Sequence, residues 1–197
     1  MMSIFVDSVK KDISNLRKKY GNADFINVTS KGNEPWNKFS PFFAHGKIPI
    51  PNSEGYYSKS VEGIWQGLKI FKTEGISTNS FNNSSMKGLK RTILSYGKPL
   101  GHQNGIDSNE ILSYIDARKK LFLPSYLFIL ENVLQIEVNA LIKMSALKKI
   151  VLLDYETNCD VLNPKSPLSH AFLIKSFIEG NYGENIEPTK NDQLSLF

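Results

Sequence analysis

Residues 121–154 read LFLPSYLFILENVLQIEVNALIKMSALKKIVLLD, and this stretch decides the fold class. From Pro124 to about Ala146 apolar side chains recur at helical spacing, so a helix is predicted there, started or kinked by Pro124. Ile150–Leu153, a short aliphatic and β-branched run between Lys149 and Asp154, reads as a buried strand. A long apolar helix leading into a fully apolar strand predicts an α+β fold, mainly helical. Leu121 to Leu134 is the most apolar segment, but it contains Pro124 and Glu131 and is too short to cross a bilayer. It is therefore assigned to the core, and no membrane segment is expected.

Working outward, residues 3–19 place Ile4, Phe5, Val9, Ile13 and Leu16 at the spacing of an amphipathic helix, which Gly21 stops. Phe25–Val28 is a strand candidate. Trp36 to Tyr57 mixes aromatic residues with Pro41, Pro49, Pro51, Gly46 and Gly55, the composition of a long site-building loop. Ser60 is a plausible N-cap for a helix from Val61 to about Lys72, in which Gly63 and Gly67 would permit a close approach. Asn79–Ser85 reads as a polar loop and Met86–Leu94 as a basic helix, followed by a turn from Gly97 to Gly105. A further helix is predicted after Asp107 or Ser108, taking in Ile111, Leu112, Ile115 and Ala117. Ser169–Gly180 forms the last one, closed by glycine. The polar run NYGENIEPTKND after Gly180 should be a flexible tether. The expected organisation is a single compact globular domain over residues 1–180, a tether over 181–192 and a terminal peptide over 193–197.

Of 197 residues, 24 are Lys or Arg and 19 Asp or Glu, a net charge of +5 that suits a polyanionic partner without requiring one. Cys159 is the single cysteine, so no intramolecular disulfide and no cysteine-based zinc cluster can form. That fits a reducing compartment, and the charged N-terminus lacks the apolar core of a signal peptide, so a cytoplasmic chain is expected. His45, His102 and His170 are far apart with no helical pairing, which predicts no metal site. No phosphate loop of the Walker kind is present, which argues against an NTPase, and no cofactor is implied.

If the helix begins at Val61, Glu62, Trp65, Gln66 and Lys69 share one face. Trp65 could stack on a ring, Lys69 meet a phosphate, and Glu62 reach a sugar or an attacking water. In the first helical turn the dipole favours ionised Glu62, which predicts a basic or electrostatic role. The plainer reading makes Trp65 a core residue with Glu62 and Lys69 solvated. Arg91 and Lys98, with Gly101-His102, could supply phosphate contacts, or form a solvated basic loop.

Phe39, Ser40, Pro41, Phe42 and Gly46, leading into Val61, Glu62, Gln66 and Lys69, resemble the NADAR (YbiA-like) family. The resemblance implies a compact α+β domain that hydrolyses N-glycosidic bonds in riboflavin precursors or acts on ADP-ribose conjugates, including ADP-ribosylated guanine in DNA. It implies Glu62 as the catalytic acid residue; with the groups read from spacing and charge, the expected substrate-side residues are Phe39, Trp65, Gln66, Lys69, Arg91 and His102. Gly63 stands where that family often has His, and its later Trp-Gly segment is not found here. Asp154 is the candidate for the other half of the site, with Glu156 and His170 as alternatives.

The terminal Gln193-Leu194-Ser195-Leu196-Phe197 resembles the peptide by which bacterial replication and repair proteins dock on the sliding clamp, the beta subunit of DNA polymerase III. Gln193 would anchor one subsite while Leu194, Leu196 and Phe197 fill an apolar pocket. The competing reading folds this tail onto its own domain. Together the two resemblances lead to the expectation of a hydrolase that removes a modified base or an ADP-ribosyl group from DNA while tethered to the clamp. The alternatives are a non-catalytic clamp-binding adaptor or inhibitor, of host or phage origin, and a hydrolase of free nucleotides.

Overall fold

The computed structural model describes residues 3–184. The terminal peptide 193–197, its clamp-docking residues and most of the tether lie outside the described residues. The chain begins with β1 (Ile4–Ser8), α1 (Ile13–Tyr20), β2 (Asp24–Asn27), a 3-10 turn (Trp36–Phe39), β3 (Ile48–Pro49) and β4 (Tyr57–Ser58). It continues through α2 (Val61–Gly67), β5 (Lys69–Ile70), α3 (Thr78–Asn82), α4 (Ile93–Tyr96), β6 (Gly101–Gln103), β7 (Ile111–Leu112) and α5 (Tyr114–Ala117). A π-helical turn (Arg118–Phe122), α6 (Leu123–Asn132), α7 (Gln135–Leu147), β8 (Ile150–Asp154) and α8 (His170–Glu179) complete it. The α+β class, with more helix than strand, is as the sequence predicts. No single helix among the described residues is long and apolar enough to cross a membrane.

The packing divides into two compact units, Val28–Glu137 and the remainder, Met1–Asn27 with Val138–Phe197 as far as described. In the second of these, β8 lies between β1 and β2 in a parallel sheet. A central parallel strand is covered on both faces, which is why Ile150–Asp154 is buried throughout. Val151 and Leu153 point to the face where Leu16, Tyr20 and Ala23 pack. The single helix predicted over residues 3–19 is instead a strand and a helix. Ile4 and Val6 also alternate, and pairing with β8 makes that period the one that buries them. Asp12 then caps α1 by accepting the Ser14 amide, and Gly21 closes it at φ 65°.

In the Val28–Glu137 unit, β3 and β4 form a short hairpin, and β5, β6 and β7 an antiparallel sheet. The expected helix from Val61 ends at Gly67, earlier than Lys72, because Lys69 and Ile70 pair with His102 and Gly101. The predicted Met86–Leu94 helix is absent: Met86 and Gly88 take φ of 57° and 68°, which break helical propagation, and only Ile93–Tyr96 is helical. Conversely Thr78–Asn82, read as loop, forms a helical turn against α2. Ile111 and Leu112, expected in a helix, pair with Gln103 and His102, so that helix starts one residue after its cap, Ser113.

The long helix expected from Pro124 to about Ala146 is broken into α6 and α7. The Asn132 side chain takes the Phe128 carbonyl and the Gln135 side chain that of Glu131, so side chains compete with the helical ladder at the break. Pro124 sits in the first turn of α6, after the π turn. A proline lacks the amide that would bond four residues back and its ring crowds that carbonyl, and the widened turn accommodates both.

Candidate functional site

The loop and the helix that carry the resemblance are fastened together. The Glu62 amide donates to the Pro41 carbonyl oxygen at 2.8 Å, and Ser60 Oγ caps α2 by accepting the Gly63 amide at 3.0 Å. Phe39 is fully buried, and its carbonyl oxygen accepts the Tyr126 hydroxyl at 2.7 Å, so its backbone joins the Phe39–Phe42 stretch to α6. The two glycines of α2 are where other chain segments press in. A Cβ on Gly67 would lie 2.1 Å from the Phe81 ring, and one on Gly63 2.6 Å from Ser58 Oγ. That approach draws Glu62 inward.

Glu62 is 8% exposed, and it heads a chain of side-chain hydrogen bonds along α2. Gln66 Nε2 donates to Glu62 Oε1 at 2.8 Å, and Gln66 Oε1 accepts both Lys69 Nζ at 2.8 Å and the Arg91 backbone amide at 3.0 Å. With both donors on Gln66 Oε1, the amide orientation is set and its Nε2 must face the carboxyl. Glu62 Oε2 has no hydrogen-bond partner among the described residues, so it is the oxygen left for another molecule. Burial pushes the Glu62 carboxyl above its ordinary range, against the opposing pull of Gln66, Lys69 and Lys90. Desolvation thus works against the helix dipole, which favours the ionised form of Glu62. Burial likewise lowers Lys69, with Glu62 resisting and the charges of Arg91 and Lys90 adding to the fall.

Trp65 is half-buried, with the His102 ring centroid 3.9 Å from its own and the Tyr114 and Phe122 centroids at 5.5 and 5.9 Å, both rings nearly perpendicular to the indole. His102 is 2% exposed, and neither of its ring nitrogens has a hydrogen-bond partner among the described residues. Burial, and then the Lys69 charge, lower its pKa to about 3, so the ring is neutral and brings no positive charge to a phosphate. Arg91 is also differently employed. Its guanidinium donates to the carbonyls of Gln66, Lys69 and Gly75 at 3.2, 2.6 and 2.8 Å, bracing the segment around Gln66. Tyr114 and Phe122 were not singled out from sequence; the aromatic residues around Pro124 carry no periodic signal that would aim them at Trp65.

Asp154 belongs to the other unit. Its Oδ2 accepts Ser169 Oγ at 2.8 Å and the Ala171 amide at 3.3 Å, with His170 Nδ1 3.0 Å away, and its Oδ1 accepts the Tyr155 amide. Burial alone would raise this carboxyl, but the His170 interaction and these donors hold it below the ordinary range. Asp154 therefore ties β8 to the start of α8. Glu156 is half-buried beyond the strand. No cluster of three or more metal-ligating side chains occurs among the described residues.

Comparison with known families matches residues 8–174 to one described as "Family of unknown function (DUF6939)". No curated protein and no solved structure matches the chain.

Proposed function

We propose, starting from the premise that this chain belongs to the DUF6939 family of unknown function, that it hydrolyses an N-glycosidic bond at Glu62 and acts on a modified base or an ADP-ribosyl group in DNA. The observation that carries this reading is the buried Glu62 carboxyl with one oxygen fixed by Gln66 and the other unengaged. Burial shifts this carboxyl toward its protonated form, the form that can deliver a proton to a leaving nitrogen. In the proposed step, water oxygen bonds to the anomeric carbon as the bond from that carbon to nitrogen breaks. The bonding pair stays on nitrogen, which takes the Glu62 proton, and the proton lost by water returns to the carboxylate. The cationic Lys69 offsets the charge of a nearby phosphate.

The terminal peptide 193–197 would hold the enzyme on the bacterial sliding clamp, raising its concentration at DNA without a strongly basic surface. Glu62→Gln should lower release of sugar or base from ADP-ribosylated or modified-base DNA by about 10²- to 10⁴-fold and leave clamp capture unchanged. Equal release by both proteins would refute Glu62 as the catalytic group, and no release by either would refute the enzyme reading and favour the adaptor. Capture by a purified clamp that survives Leu196→Ala with Phe197→Ala would refute the docking role.

A further inference from the structure

We propose that the turn at residues 92–96 is a wedge that enters duplex DNA beside the Glu62 site, with Leu94 as the inserted side chain and Lys87, Lys90 and Lys98 as contacts to the flanking phosphates. This rests on the DNA-directed reading of the Glu62 site and supplies the part that reading lacks. A buried carboxyl cannot reach a base inside the stack, so the nucleotide must leave the duplex and something must hold the gap.

Leu94 is 100% exposed and Ile93 68% exposed at the crown of this turn. One exposed apolar residue is unremarkable on a loose loop. This turn is held at both ends. On one side the Arg91 amide is bonded to Gln66 Oε1, and the Arg91 guanidinium to three backbone carbonyls. That guanidinium also lies 4.7 Å from the Phe71 ring and 5.2 Å from the Tyr96 ring. On the other side the Leu100 amide donates to the Ile70 carbonyl at 2.8 Å. Within the turn, the amides of Ser95 and Tyr96 return to the Thr92 carbonyl. Leu94 is thus presented on a pinned support whose base is the same Gln66 that orients Glu62.

Charge selects the occupant. No Asp or Glu stands between Glu74 and Asp107, while Lys87, Lys90, Arg91 and Lys98 all fall there. None of the three lysines makes an ion pair among the described residues, and Lys90 lies 5.7 Å from the Phe42 ring, on the loop fastened to Glu62. An apolar tip flanked by uncompensated cations matches an apolar slot flanked by anions, which stacked bases between two phosphate strands provide. A membrane surface also joins anions to an apolar layer, but it is better met by a broad apolar face than by two residues on a single turn.

The test mixes the full chain with an unmodified duplex carrying 2-aminopurine, whose fluorescence rises when its neighbours unstack. The wild type should bind and raise the signal. Leu94→Ala should bind within about threefold and lose the rise; the residue is fully exposed, so folding is not at risk. Lys87→Glu with Lys98→Glu should weaken binding and lower its logarithmic salt slope by about one for each contact removed. Glu62→Gln should keep the rise. Release from a single-stranded substrate needs no wedge and reports on Glu62 alone, so fluorescence without release would sink the glycosidase and leave the wedge standing. Duplex binding without a rise, a rise retained by Leu94→Ala, or Leu94-dependent binding to anionic vesicles or self-association in place of DNA binding would each overturn the proposal.

Discussion

The His102 imidazole lies 3.9 Å, centroid to centroid, from the Trp65 indole, tilted by 34°, with neither of its nitrogens hydrogen-bonded among the described residues. Buried nitrogens without partners cost stability, so the ring stays neutral, and a ligand that bonded to it would recover part of that cost.

Acid should therefore destabilise the protein through His102 in a defined window. The ordinary pKa is 6.5 and the folded value about 3, so the unfolded chain takes up the proton first as pH falls. Stability is full above 6.5 and declines toward 3, with a slope of up to about 1.4 kcal/mol per pH unit from this group. His102→Phe retains a flat ring without the proton site. Urea denaturation at pH 5 and pH 8 should show a smaller loss in the variant, and an identical loss in both proteins would exclude His102 as the cause.

Gly67→Ala should destabilise by about 1–3 kcal/mol, since its methyl would meet the Phe81 ring. Phe81→Leu alone should cost less than an unfolding event, and in the double variant the penalty of the alanine should shrink. Penalties that simply add in a double-mutant cycle would show that the two positions do not touch.

Much of this was legible because it is local. Ser60 before Val61, Gly21, Gly180 and the aliphatic run into Asp154 each act within a turn or two of chain, and each appears where the sequence places it. What failed depends on distant partners. Residues 3–19 satisfy two periods at once, and only the pairing of Ile4 with Ile150 chooses between them. The shared face of Glu62 and Gln66 was readable from helical spacing, whereas Lys69 lies beyond the end of α2, in β5, and joins them through its bond to Gln66 Oε1. The burial of Glu62 was not, because it arises from the Pro41 carbonyl and from the pressure of Phe81 and Ser58 on two glycines. Likewise Arg91 reads as a free cation in sequence, while its partners are backbone carbonyls that no side-chain pattern announces.

In the sheet of β1, β8 and β2, Asp7 is a further buried carboxylate, bound to Lys11 at 2.9 Å, Lys19 at 3.2 Å and Tyr20 Oη at 3.0 Å. Burial would raise it, but these partners and the Ser8 amide hold it below its ordinary range. Its contribution is present above the ordinary carboxylate value and is lost as pH falls through the depressed one. Asp7→Asn should cost about 1–3 kcal/mol at pH 7, toward the lower end because both lysines can rehydrate. Comparable stability of wild type and variant in a denaturant titration at pH 7 would show the ion pairs to be inconsequential.

The proposed function stands on water attack at an anomeric carbon assisted by Glu62. Incubating the purified protein with ADP-ribosylated DNA in ¹⁸O-labelled water, and weighing the products by mass spectrometry, tests it most directly. The prediction is one labelled oxygen on the released sugar with wild type and release reduced at least about a hundredfold with Glu62→Gln. Unlabelled sugar, or release at the same rate from both proteins, would contradict it.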